Sequence, residues 1–139
     1  MDAVEITQIC RRITPHAFAG VYAANEFSHL RPGQYAIINT LPSYAAETMG
    51  HWIYLERRLA DEEYVLFDAL AGEMALPIPI HTRNTQKVQC ANAVTCAPHC
   101  IYFAYLRYCL RLSFTDCLRQ FSPNCRYNDK MVREFINTI

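Results

Sequence analysis

Glycine and proline are scarce, with four and seven respectively in 139 residues. That is too few for a linker, a collagen-like array or a chain that stays disordered. Net charge is absent as well, with thirteen Lys and Arg against thirteen Asp and Glu. The balance excludes the overall basic excess on which a strong non-specific grip on nucleic acid depends. No apolar run is long and uncharged enough for a bilayer. The longest, Ala93 to Leu110, carries His99 and Arg107 and reads as a buried helix, so no membrane partner is expected. Repeats, low-complexity tracts and linkers are also missing, which leaves residues 1–139 as a single domain. The chain opens with no signal-peptide pattern and has seven cysteines, an odd number. Reduced thiols in the nucleus or cytoplasm are therefore expected.

What is present is core material: 52% of the residues are hydrophobic and 12% aromatic, in a chain long enough to bury them. Residues 2–12 read as a short helix with Ala3, Ile6, Ile9 and Cys10 on one face. Tyr35–Asn39 is a β-prone run behind the turn signal Pro32-Gly33. His51–Leu55 and Tyr64–Phe67 are two more, joined by the charged stretch Glu56–Glu63, so 51–68 reads as an antiparallel hairpin. The run Leu76–Ile80 (LPIPI) is an edge strand or extended segment, since two prolines deny it a full ladder. Lys87–Gln89 is a candidate last strand. Helices are expected from about Thr95 to Leu112, from Ser113 to Phe121 and from Asp129 to Asn137, with Asn124–Tyr127 as a loop. Strands first and helices second predict an α+β fold with a mixed central sheet. The long helix should pack across that sheet on Ile101, Ala104, Tyr105 and Tyr108 or their neighbours.

A thiol nucleophile needs a base, a group to orient the base, and a donor for the oxyanion. The sequence offers Cys96, His51, Asp68 and Gln89 for these roles. Cys96 stands at the expected helix start, between Thr95 and Pro98, where proline is tolerated because its missing amide would have been unpaired. The positive end of a helix favours thiolate over thiol. His51 and Asp68 lie 17 residues apart on the hairpin's two arms. A turn centred on Leu59–Ala60 sets them opposite each other on one face, where the carboxylate can hold one imidazole nitrogen and free the other for the thiol. Gln89, seven residues before Cys96, can donate its side-chain amide to the oxyanion.

In these same segments the chain resembles the adenovirus-type cysteine proteases, or adenains, relatives of the SUMO-deconjugating proteases. Ala36–Arg57 (AIINTLPSYAAETMGHWIYLER) is similar to the family's strand, loop and His-Trp segment. Tyr64–Gly72 (YVLFDALAG) is similar to the strand that ends in the triad acid, and Asn84–Cys109 (NTQKVQCANAVTCAPHCIYFAYLRYC) to the Gln and Cys block with its helix. Gly20–Phe27 (GVYAANEF) is a weaker likeness. The resemblance implies an adenain-like fold with Cys96 as nucleophile, His51 as base, Asp68 as orienting acid, Gln89 as oxyanion donor and Trp52 as a residue shaping the site. It implies a cysteine endopeptidase that matures viral structural precursors after Gly-containing motifs, in the host cell nucleus or cytoplasm or packaged in the virion. Where the family has Gly after the Gln and after the Cys, this chain has Cys90 and Ala97. The stretch between Asp68 and Gln89 is much shorter than in adenovirus proteases and lacks the cysteine that couples to their activating peptide. The peptide activator is therefore not carried over. The neutral charge likewise argues against DNA activation, and no cofactor is expected.

Two other function classes compete. One is a protease fold retained as a capsid-associated interaction module, motivated by Cys90 and Ala97. The other is a ubiquitin-like deconjugase with the same chemistry. A zinc site from Cys90, Cys96, His99 and Cys100 has poor spacing, lacking the CxxC knuckles of structural sites.

Overall fold

The structure, a computed structural model, describes residues 1–41 and 50–139. Its elements are α1 (Ala3–Ile13), β1 (Phe18–Ala23), β2 (Gln34–Asn39), β3 (Trp52–Arg57), β4 (Tyr64–Phe67), β5 (Thr82–Arg83), α2 (Cys96–Tyr108), α3 (Phe114–Leu118) and α4 (Cys125–Thr138). The five strands form one sheet in chain order. β1 runs parallel to β2, β2–β3–β4 are antiparallel, and β5 is parallel to β4. The fold is α+β with a mixed sheet. Of the loop assigned by resemblance between the first matched strand and His51, residues 42–49 lie outside the described residues.

The sheet is buried on both faces, so its central strands read as continuous apolar runs rather than alternating ones. On one face Tyr35, Ile37, Tyr54, Val65 and Phe67 meet α2; on the other Ala36, Ile38, Ile53, Leu55 and Leu66 meet Phe27 and Leu30. α2 crosses the first face on Ile101, Phe103, Ala104 and Leu106. Phe103 stacks on Phe67 with centroids 4.3 Å apart and tilts against Tyr54 at 4.9 Å. Ile101 and Ala104 are in the core as expected, whereas Tyr105 and Tyr108 are only half-buried, on the helix flank. The helix also ends at Tyr108, earlier than the predicted Leu112.

Other boundaries differ for identifiable reasons. β1 was not expected. Its residues (FAGVYA) are apolar, but the ladder shifts between Phe18 and Gly20 and the strand is half-buried throughout, and a glycine inside so short a run weakens the strand signal. The LPIPI segment forms no ladder and bends at Pro77–Ile78; Leu76, Ile78 and Ile80 pack against the second sheet face instead. The short strand beside β4 is Thr82–Arg83, and residues 87–89 are not a strand. α4 begins at Cys125, capped by Asn124, whose side chain accepts from the Arg126 and Tyr127 amides. The predicted loop 124–127 is thus the first turn of a helix.

The expectation of seven reduced thiols is corrected. Cys90 and Cys125 form a disulfide, because the first turn of α4 docks on the segment that precedes α2. Closing a 35-residue separation removes chain entropy from the unfolded state. On a chain-entropy account Cys125→Ser should cost about 3–4 kcal/mol. Urea unfolding of this variant beside the oxidised parent measures the loss; a difference below about 1 kcal/mol would show that α4 docks without the bond.

Candidate active site

His51 sits one residue ahead of β3, its backbone held by two hydrogen bonds to Thr40. The Thr40 amide donates to the His51 carbonyl at 2.8 Å, and the His51 amide donates to Thr40 Oγ1 at 3.2 Å. Gly50, just before it, is a close-approach position: a Cβ there would fall 1.9 Å from Asn39 Oδ1. Asp68 sits one residue past β4. Its backbone is bracketed by the Asn84 side chain, which accepts from the Asp68 amide at 2.8 Å and donates to its carbonyl at 2.6 Å. Its carboxylate accepts from the Leu70 amide on Oδ1 and the Gly72 amide on Oδ2, each at 2.9 Å. Gly72 is glycine for space, since a Cβ would come within 2.9 Å of Oδ2. Asn84 and Thr40 are supporting residues that no sequence signal marked.

His51 Nε2 lies 2.5 Å from Asp68 Oδ1. The hairpin pairing predicted for these residues is shifted. β3 and β4 pair Tyr54 with Phe67 through Arg57 with Tyr64, centring the turn one residue later than Leu59–Ala60. In that register Asp68 falls level with Ile53, and the imidazole reaches it along the diagonal. A two-residue offset preserves the face, so the pair forms regardless.

With Nε2 committed to Asp68, Nδ1 is the nitrogen left to serve Cys96, which lines the same cleft as the ring. Cys96 is the first residue of α2. Burial pushes its thiol pKa up, but the His51 hydrogen bond, the Trp52 amide, the imidazolium charge and the Ala97 amide outweigh burial and hold it below the ordinary value. Burial pulls His51 down; hydrogen bonds and charge from Asp68 and Cys96 more than offset this and raise it to about 9. For Asp68, burial is again outweighed, by His51 and the Leu70 and Gly72 amides, and its carboxyl stays below the usual range. All three shifts run towards the charged forms, thiolate, imidazolium and carboxylate.

The remaining free cysteines behave oppositely. Burial raises Cys10 to about 11 and Cys117 to about 12, and also raises Cys100 and Cys109. Of the five free thiols, Cys96 is the one held below its ordinary value.

Gln89 is 1% exposed and faces the same cleft, of about 820 Å³, as Cys96, His51 and Trp52. Its backbone amide donates to Ala69 at 3.0 Å and its Nε2 to the Ala93 carbonyl at 2.9 Å. An amide nitrogen carries two hydrogens, so one remains for a ligand. Cys90 turns its sulfur to Cys125, which directs the extra bulk after Gln89 towards α4. Trp52 both lines the cleft and packs on the core, and its carbonyl accepts from the Cys100 thiol at 3.5 Å. The four residues weighed for zinc do not converge. Cys90 is bonded to Cys125, and His99 is fully buried with Nδ1 on the Thr95 carbonyl at 2.7 Å. No group of three His, Cys, Asp or Glu side chains suited to a metal occurs among the described residues. No protein-family model matches the chain, and no curated protein matches it.

Proposed function

We propose that the chain is a cysteine endopeptidase acting through Cys96, His51 and Asp68, with Gln89 as oxyanion donor. The observation that carries this reading is the His51–Asp68 pair, whose imidazole lines one cleft with Cys96, the one of the five free thiols whose pKa is lowered. In the proposed reaction the Cys96 sulfur attacks a substrate carbonyl and its oxygen becomes the oxyanion. The second N–H of Gln89 Nε2 and amides of the first turn of α2 are the donors for that charge. His51 gives its proton to the departing amine, leaving an acyl-thioester, then takes a proton from water as the water attacks. Asp68 keeps the imidazole in the orientation and tautomer both steps require. The resemblance to adenains adds the proposed substrate class, precursors of viral structural proteins.

The test is limiting alkylation with iodoacetamide at pH 6, mapped by mass spectrometry. An ordinary thiol is almost wholly protonated there, so Cys96 should react on the order of a hundredfold faster than the other free cysteines. The thiol and imidazole titrate as a pair, and the ion pair spans the interval from the lowered thiol to His51 at about 9. Peptide turnover should therefore hold through neutral pH and fall as pH rises past about 9, where His51 surrenders the proton the leaving group needs. Indiscriminate labelling of the five thiols would overturn the reading.

A further inference from the structure

Gln89 and Cys96 are joined by a segment with no helix or strand, yet the proposed chemistry needs their spacing fixed. Two amides anchor the segment's start, Val88 and Gln89 both donating to the Ala69 carbonyl. α4 supplies the other anchors. Asn128 donates to the Val88 carbonyl at 3.0 Å, Cys125 is bonded to Cys90, and Asp129 meets the segment at both ends. Asp129 Oδ2 accepts from the Cys90 amide at 3.4 Å, immediately after Gln89. Its Oδ1 accepts from the Thr95 hydroxyl at 2.8 Å, immediately before Cys96.

The second contact has a further effect. A threonine at a helix N-cap ordinarily turns its hydroxyl onto the amides of the first turn. Thr95 makes no such bond: its hydroxyl is held by Asp129, and Pro98, three residues on, has no N–H to offer. The side chain that could still cap the Ala97 amide is thus turned away, and the Cys96 and Ala97 amides remain for the Cys96 sulfur and a developing oxyanion. Asp129 is 5% exposed, and His99 Nε2 stands 3.9 Å from its Oδ1 without a hydrogen bond, on a ring whose pKa burial lowers. A buried carboxylate whose basic neighbour is beyond hydrogen-bond reach is an expensive group to keep for structure alone.

Resting on the peptidase reading, we propose that Asp129 is a positioning residue for the oxyanion site: it spans the segment from Gln89 to Cys96 and draws Thr95 off the helix N-terminus. Asp129→Asn keeps the shape and loses an acceptor for one of the two donors. It should lower kcat for a fluorogenic Gly-Gly peptide about a hundredfold with KM within about twofold, since small misplacements cost that much. Capture of a Gly-Gly aldehyde, whose adduct carries the oxyanion, should weaken by a similar factor. The rate of Cys96 alkylation by iodoacetamide, which forms no oxyanion, should not change. Thr95→Val should reproduce the pattern and Thr95→Ser restore it, and these variants carry the test if Asp129→Asn does not fold. Unchanged kcat in Asp129→Asn, or kcat and alkylation falling together, overturns the positioning role while the peptidase reading stands. A parent protein with neither turnover nor selective labelling overturns both.

Discussion

Cys96→Ala is expected to abolish peptide turnover, and His51→Ala to reduce it almost as far, because neither residue does its chemistry without the other. Asp68→Asn should be costly but partial. The amide keeps the side chain's shape but loses the charge that holds His51 up. It also turns an NH2 towards donors where Asp68 now accepts from His51 and the Leu70 and Gly72 amides. A fall of about 10²–10⁴-fold is expected, the range for a compromised acid–base partner. Cys96 is half-exposed at a helix end, so Cys96→Ala should fold as the parent does, which circular dichroism checks directly. Turnover surviving in Cys96→Ala would remove it as nucleophile. Cys100, one helical turn away, is a poor substitute. It is fully buried, burial raises its thiol, and it points at the Trp52 carbonyl.

The parts of this site that were legible in the sequence depend on local pattern. YAIIN, the WIYL run after His51 and YVLF each carry enough β-branched and aromatic residues to declare a buried strand, and Thr95-Cys96-Ala97-Pro98 declares a helix start. Because strand side chains alternate, His51 and Asp68 stayed on one face even though the turn was placed one residue early. The supports were not legible, since they are long-range. Asn84 meets Asp68 from 16 residues away and Asp129 meets Thr95 from 34. Asn124 had the composition of a loop as well as of a helix cap, and a cap is distinguished by the packing of the helix behind it. The same packing makes the Cys90–Cys125 disulfide, which no cysteine count predicts. β5 and the LPIPI segment fail for another reason. A two-residue strand carries no periodicity, and Pro77 and Pro79 leave an apolar run without the amides to join a ladder.

The largest stability effect is expected away from the cleft, at Arg107. Glu56 lies fully buried near the far end of β3 from His51, and Arg107 near the far end of α2 from Cys96. The guanidinium forks onto the carboxylate, with Nε 2.8 Å from Oε1 and Nη2 on Oε2, while Nη1 donates to the Leu112 carbonyl at 2.6 Å. Tyr54 completes the shell, its hydroxyl donating to Oε1 at 2.6 Å. Arg107→Leu strands the carboxylate in the core, where losing a buried partner costs about 3–5 kcal/mol. That is a large part of the stability of a domain this size. Glu56→Leu with Arg107→Leu removes both charges and should recover much of the loss, since a buried pair replaced by apolar groups is often close to neutral. Urea unfolding of the single and double variants separates the cases; a single variant within about 1 kcal/mol of the parent would mean the carboxylate finds water or a proton instead. One strand and one helix carry both pairs, Glu56 with Arg107 at one end and His51 with Cys96 at the other. If the ion pair helps the apolar contacts of α2 set its position along β3, the double variant should fold yet show slower Cys96 alkylation at pH 6; an unchanged rate would mean that the apolar contacts suffice.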